Sequence, residues 1–219
     1  MFTTGNTFTD ALLLITSFLP LIPAALIFFS KNSGESPLNL LLVICLLNFI
    51  QGLIKACTPF GFENQYITNN ILSLLELILL IQLFKPLLSR KMKDVLNILL
   101  VAFLSAIITY FSLEGWSLDY PGLDTLQNGV IIGVILVSLP PLMKATNLRI
   151  FQSPLFWIAG GTLFYFLIFT LLEWVGPCCL PAPRSLPAEK MIFLGIAGLI
   201  RYVLYILAAL VPRPEQETE

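Results

Sequence analysis

The sequence predicts an all-α protein: a polytopic membrane bundle of seven transmembrane helices, with the N-terminus outside and the C-terminus cytoplasmic. Three observations lead there. Of 219 residues, 57% are hydrophobic and only 11% charged, whereas a soluble domain of this length carries roughly 55 charged side chains. A globular fold cannot hide so much apolar surface, because its polar coat would be too thin. The apolar residues also fall into seven runs of about 20, the length that crosses a bilayer as helix. Finally, Lys and Arg collect on alternate connections, which sets the orientation.

The runs are residues 11–29, 38–57, 71–88, 95–112, 126–143, 155–175 and 191–211. They form a single domain with a short acidic tail over 212–219, and leave no length for an extramembrane domain. The first run has no Lys or Arg before it, so it reads as a retained span and not a cleaved signal. The fifth is the weakest, since Gln127, Asn128 and Pro140-Pro141 shorten its apolar stretch. Turn chemistry marks the connections: Asn32-Ser33-Gly34, Pro59-Phe60-Gly61, Tyr120-Pro121-Gly122 and Gly176-Pro177. With the N-terminus outside, eight cations lie on the inner side: Lys31, Lys85, Arg90, Lys91, Lys93, Lys144, Arg149 and Arg213. Lys55, Arg184 and Lys190 lie on the outer side, and Arg201 falls within the seventh span.

Composition also removes whole classes of activity. The net charge of −1 without a basic patch excludes nucleic acid as a partner. With no histidine in the chain, His-ligated metals, haem and Ser-His or Cys-His catalysis are excluded. No cofactor and no metal site are expected. A retinal protein needs a lysine midway along the last span, where Arg201 stands instead. Glu76 and Glu173 could act as acid and base, but no nucleophile or glycine-rich phosphate loop accompanies them. The expectation is a non-enzyme. In this orientation Cys57, Cys178 and Cys179 face the oxidising side. A bridge from Cys57 to Cys178 or Cys179 is open to them, as is the free-thiol state.

The polar residues inside the spans recur at helical spacing. Asn48, Gln51 and Lys55 share a face of the second span; Asn69, Ser73 and Glu76 share one of the third. Thr162, Phe166, Thr170 and Glu173 line the sixth, and Gly195, Gly198, Arg201 and Tyr205 the seventh. Taking Ile71 as the outer end of its span, Glu76 lies about 8 Å deep, and Arg201 about 15 Å below Met191. Four helices thus aim polar groups at one volume in the outer half of the bundle, while the inner half is aliphatic and aromatic. Unpaired charges at these depths cost several kcal/mol. The pairs expected are therefore Arg201 with Glu76 and Lys55 with Glu173, with exchange of partners open. Such pairs could line a ligand pocket or merely fix helix packing. Gly160-Gly161, Gly195 and Gly198 are read as close-packing sites, and Trp116, Trp157 and Trp174 as interface residues.

The stretch Ser153-Pro154-Leu155-Phe156-Trp157-Ile158-Ala159-Gly160-Gly161, continuing to Tyr165, together with Asn69-Asn70 and Ser73-Leu74-Leu75-Glu76, resembles uncharacterised seven-helix membrane proteins of Bacteroidetes. These look like stand-alone sensor modules encoded beside histidine kinases or LytTR-type regulators. The resemblance implies a receptor-like fold in the bacterial inner (cytoplasmic) membrane and brings no catalytic residues. Glu76 and Tyr165 fall within its motifs; Arg201 departs from the uncharged polar residue expected there. The leading expectation is accordingly a non-enzymatic, multi-pass sensor or receptor-like protein. It would take a small molecule or lipid on Asn48, Gln51, Lys55, Asn69, Ser73, Glu76, Tyr165, Thr170, Glu173, Arg201 and Tyr205, and signal to a partner such as a histidine kinase. The alternative is a small-solute transporter with a 3+1+3 helix arrangement, suggested by Pro20 and Pro23 in the first span and Pro140-Pro141 in the fifth. The proline-glutamine motif of PQ-loop transporters is absent.

Overall fold

In hydrocarbon every backbone N–H and C=O needs an internal partner, so an apolar run of about 20 residues has little choice but helix. The computed structural model describes residues 7–30, 36–57, 63–114, 121–145, 150–179 and 188–211, less the side chains of a few terminal residues of these segments. The elements are α1 (Thr7–Phe18), α2 (Leu21–Phe29), α3 (Ser36–Cys57), α4 (Glu63–Phe84), α5 (Arg90–Glu114), α6 (Pro121–Ala145), α7 (Pro154–Cys179) and α8 (Ala188–Leu210), with single 3-10 turns at Lys85–Leu87 and Ile150–Gln152. Together they supply seven helices long and apolar enough to cross a membrane, as expected of a multi-pass membrane protein.

Two of the spans carry internal prolines, with different outcomes. The first is broken, and Pro20 is the reason. Proline has no N–H to give Thr16 and disfavours helical geometry at Leu19. The chain therefore turns with Ile22 N donating to Leu19 O at 3.0 Å before α2 resumes. The fifth span, in contrast, stays one helix, α6 running through Pro140-Pro141 to Ala145, and it is the least apolar of the seven, as the sequence predicts. Gln127 and Asn128 are buried within it, 4% and 5% exposed.

The helices pack as two layers of three. In one layer α3 lies between α1/α2 and α4; in the other α7 lies between α6 and α8. The layers meet as α1/α2 on α8, α3 on α7, and α4 on α6. Exchanging α1/α2 with α6, α3 with α7 and α4 with α8 reproduces this pattern of neighbours. The order of neighbours is thus pseudo-two-fold, as it would be for two parallel three-helix units. The intervening α5 is the odd crossing that returns the second unit to the direction of the first. It is peripheral, with Ile107 and Phe111 buried while Ile98, Leu99, Val101 and Leu113 are 60–78% exposed.

Aliphatic packing dominates the half of the bundle away from the start of α1. Ile27, Leu38, Leu41, Ile44, Leu80, Ile81, Leu83, Phe84, Ile135 and Ile158 form one buried cluster there. Lys85 sits half-buried on the 3-10 turn at that end. Close helix approach relies on small residues. A Cβ at Gly52 would come within 2.9 Å of the Ser17 Cβ, and one at Gly161 within 3.0 Å of the Arg201 carbonyl oxygen. Gly195 seats Leu12 and Gly198 faces Thr16, so both serve the α1–α8 contact. At Gly160 a Cβ would meet only Leu204, at 4.0 Å. Trp157 donates Nε1–H to Phe151 O at 2.8 Å near one end of α7, and Trp174 is 70% exposed near the other. Trp116 lies outside the described residues.

Candidate functional site

Glu76 and Arg201 do meet. The Arg201 Nη2 donates to Glu76 Oε1 in a buried ion pair, with the two residues 2% and 8% exposed. Glu76 is nine residues inside its span and Arg201 eleven, in spans of 21 residues each; both are thus some ~14–16 Å deep, near mid-membrane. Glu76 is deeper than expected because α4 starts at Glu63, well before Ile71. Each residue is the fourteenth of its helix, and α4 and α8 are the helices that the pseudo-two-fold exchanges. The pair is thus a diagonal bond between the two layers.

Its surroundings come from the two central helices. From α3, Asn48 Nδ2 donates to the same Glu76 Oε1 at 3.1 Å. From α7, the rings of Tyr165 and Phe166 lie 5.0 and 5.4 Å from the guanidinium carbon, with Tyr202 and Tyr205 of α8 at 5.9 and 5.2 Å. Such ring faces attract a cation, worth up to about 2 kcal/mol each when water is excluded. Arg201 Nε donates to the Tyr205 hydroxyl at 2.8 Å. Thr162 Oγ1 gives its hydrogen to Ile158 O at 2.7 Å, so across the 2.8 Å Thr162–Tyr205 contact the tyrosine is the donor. Gly161 makes this possible: without its Cβ-free surface α7 could not lie so close to the Arg201 backbone.

A second group of polar residues continues toward the end of the bundle where α1 starts. Gln51 Nε2 donates to Asn69 Oδ1 at 2.5 Å, joining α3 to α4. Gln127 Nε2 donates to both the Ser73 carbonyl and its hydroxyl at 2.8 Å, joining α6 to α4 across the layers. Glu173 does not take Lys55. It pairs with Lys190 at 2.6 Å, since the α7–α8 hairpin sets these residues side by side. Lys55 is half-buried in the last turn of α3. Loss of the Glu173–Lys190 pair, as in Lys190→Gln, should cost no more than about 1 kcal/mol in thermal unfolding, because the pair is partly solvated.

Most of the expected residues therefore come together around or next to the buried ion pair. Asn48, Glu76, Tyr165, Arg201 and Tyr205 form one network; Gln51, Asn69 and Ser73 lie in the next layer of bonds. Thr170 follows Thr162 and Phe166 along α7, and its Oγ1 is buried without a hydrogen-bond partner. Asn128 Nδ2 on α6 is in the same condition. The side chains of Cys57, Cys178 and Cys179 lie outside the described residues, while Cys45 is a buried free thiol. Sequence reasoning left Gln127, Thr162 and Lys190 out of the site. A polar residue interrupting an apolar run was the available signal for Gln127. It was read as a weak span and not as a buried bond.

Fold and site together define a two-layer membrane-type helix bundle with a buried central ion pair. No protein-family model, curated protein or solved structure matches the chain.

Proposed function

We propose that this chain is a non-enzymatic small-solute transporter of a bacterial inner membrane, its two three-helix layers moving against each other with the Glu76–Arg201 contact as the bond that must part. One observation carries the reading. The neighbour pattern of the helices is preserved when the two triplets are exchanged, and a buried interlayer ion pair lies at mid-depth between them. In transporters built from parallel repeats the substrate site lies at that place, and access alternates by movement of one repeat against the other. Opening either end of this bundle means separating the carboxylate from the guanidinium, so the pair acts as the central latch. The charge bias of the loops supports an N-terminus outside and a cytoplasmic C-terminus, which puts the polar half of the bundle on the outer side.

The test is flux. Proteoliposomes holding the purified protein should exchange a labelled mixture of small polar solutes faster than empty vesicles. Glu76→Gln should reduce that exchange at least tenfold, because the latch loses its charge. Absence of flux, together with recovery of a histidine kinase or similar partner in a pull-down from the native membrane, would favour the sensor reading that the resemblance implies. In that case the same interlayer movement would carry a signal and no solute.

A further inference from the structure

The polar contents of the core specify which solutes it accepts. At the centre of the interlayer contact sit one carboxylate and one guanidinium, each of which satisfies the other. When the layers part, both charges are left in a low-dielectric space, where an uncompensated ion is strongly unfavourable. A cation would neutralise Glu76 and strand Arg201; an anion would do the reverse. A molecule with both a carboxylate and an ammonium heals both ends at once and leaves the net charge of the core unchanged. We propose that the site takes zwitterionic small molecules of the amino-acid type, the carboxylate replacing Glu76 on Arg201 and the ammonium replacing Arg201 on Glu76. This rests on the transport reading for its route, though not for its binding chemistry.

Other features of the core fit such an occupant. Asn48 Nδ2 and the Tyr205 hydroxyl already serve the two charged groups and stay in place when the partner changes. Tyr165 and Phe166 add apolar ring surface beside the guanidinium, suited to an aliphatic or aromatic side group. Nearer the end where α1 starts, Asn128 Nδ2 and Thr170 Oγ1 are buried and have no hydrogen-bond partner. They lie on the packed helices α6 and α7, each four residues from that end of its span. A buried donor left unmade is unfavourable, and a polar solute passing that level would satisfy it.

The experiment compares three molecules with the same branched side group: L-leucine, 4-methylpentanoate, which lacks the amine, and 3-methylbutylamine, which lacks the carboxylate. Purified full-length protein is heated with each at millimolar concentration. L-Leucine should raise the melting temperature by several degrees through binding to the folded state, and the other two should not. Glu76→Gln/Arg201→Gln keeps an uncharged pair and its fold, verified by its own melting curve, and should lose the leucine response. A panel of glycine, L-serine and L-phenylalanine extends the test to other side groups. The proposal is overturned if 4-methylpentanoate or the amine stabilises as well as the amino acids, if the double variant still responds, or if no amino acid of the panel has an effect. Flux of other solutes without an amino-acid response leaves transport standing and removes this substrate class. An amino-acid response without flux does the opposite.

Discussion

Glu76→Leu alone should destabilise the bundle by about 3–5 kcal/mol, as should Arg201→Leu alone, because each leaves its former partner as an uncompensated buried charge. The double variant should recover more than half of that loss. Two leucines near mid-membrane fill the space with apolar contact and leave no charge behind. Full recovery is not expected, since Asn48 Nδ2 and the Tyr205 hydroxyl each lose a partner, at about 1–3 kcal/mol per stranded group. Unfolding of the four proteins in detergent or nanodiscs measures the cycle, with a coupling energy well above 1 kcal/mol as the expected result. Additive losses would mean that the two side chains do not act as a pair. The arginine should be the less replaceable of the two. Arg201→Lys keeps the charge, but a single ammonium cannot address Glu76 and Tyr205 with the separate Nη2 and Nε donors used here.

The second large effect belongs to a residue with no side chain. At Gly161 an added Cβ would stand 3.0 Å from the Arg201 carbonyl oxygen and 3.1 Å from the Leu204 Cβ. The first of these is backbone and cannot rotate away. Gly161→Ala should therefore cost about 1 kcal/mol, and Gly161→Leu about 3 kcal/mol, the upper end of the usual range for overpacking. The displacement also reaches the site. Moving α7 away from α8 lengthens the Thr162–Tyr205 bond and withdraws Tyr165 and Phe166 from the guanidinium. Gly161→Leu should thus reduce flux or ligand response even where the protein remains folded. Gly160→Ala is the control, for a Cβ there meets only the tip of Leu204 at ordinary contact distance. Equal losses at the two glycines would show that Gly161 has no special place in the packing.

Glu76 with Arg201 was legible because charge inside a span is so unfavourable that two opposite charges within the spans all but require each other. Lys55 with Glu173 failed by the same rule applied too coarsely. Near the ends of spans the penalty is small and the chain path decides, and here the α7–α8 hairpin delivers Lys190 to Glu173 first. Thr162 was placed on the correct face of α7 by its spacing, yet its part in holding Tyr205 depends on how closely α7 approaches α8. Gly161 and Gly195 were identified as packing residues by size alone, whereas the partners they admit came from the helix order.

What the sequence determined by itself is the class of structure: seven apolar helices, the polar residues set within them, and the demand that buried charges be paired. These are local consequences of transfer from water to hydrocarbon, and they hold whatever the neighbours of each helix. Which helices touch was decided only by the tertiary structure. The two-layer order, the peripheral place of α5 and the diagonal reach of Arg201 to Glu76 all depend on shape complementarity between helix surfaces. Inside a bilayer, where every helix is equally at home in lipid, that complementarity is spread over many small contacts and has no simple signature along the chain.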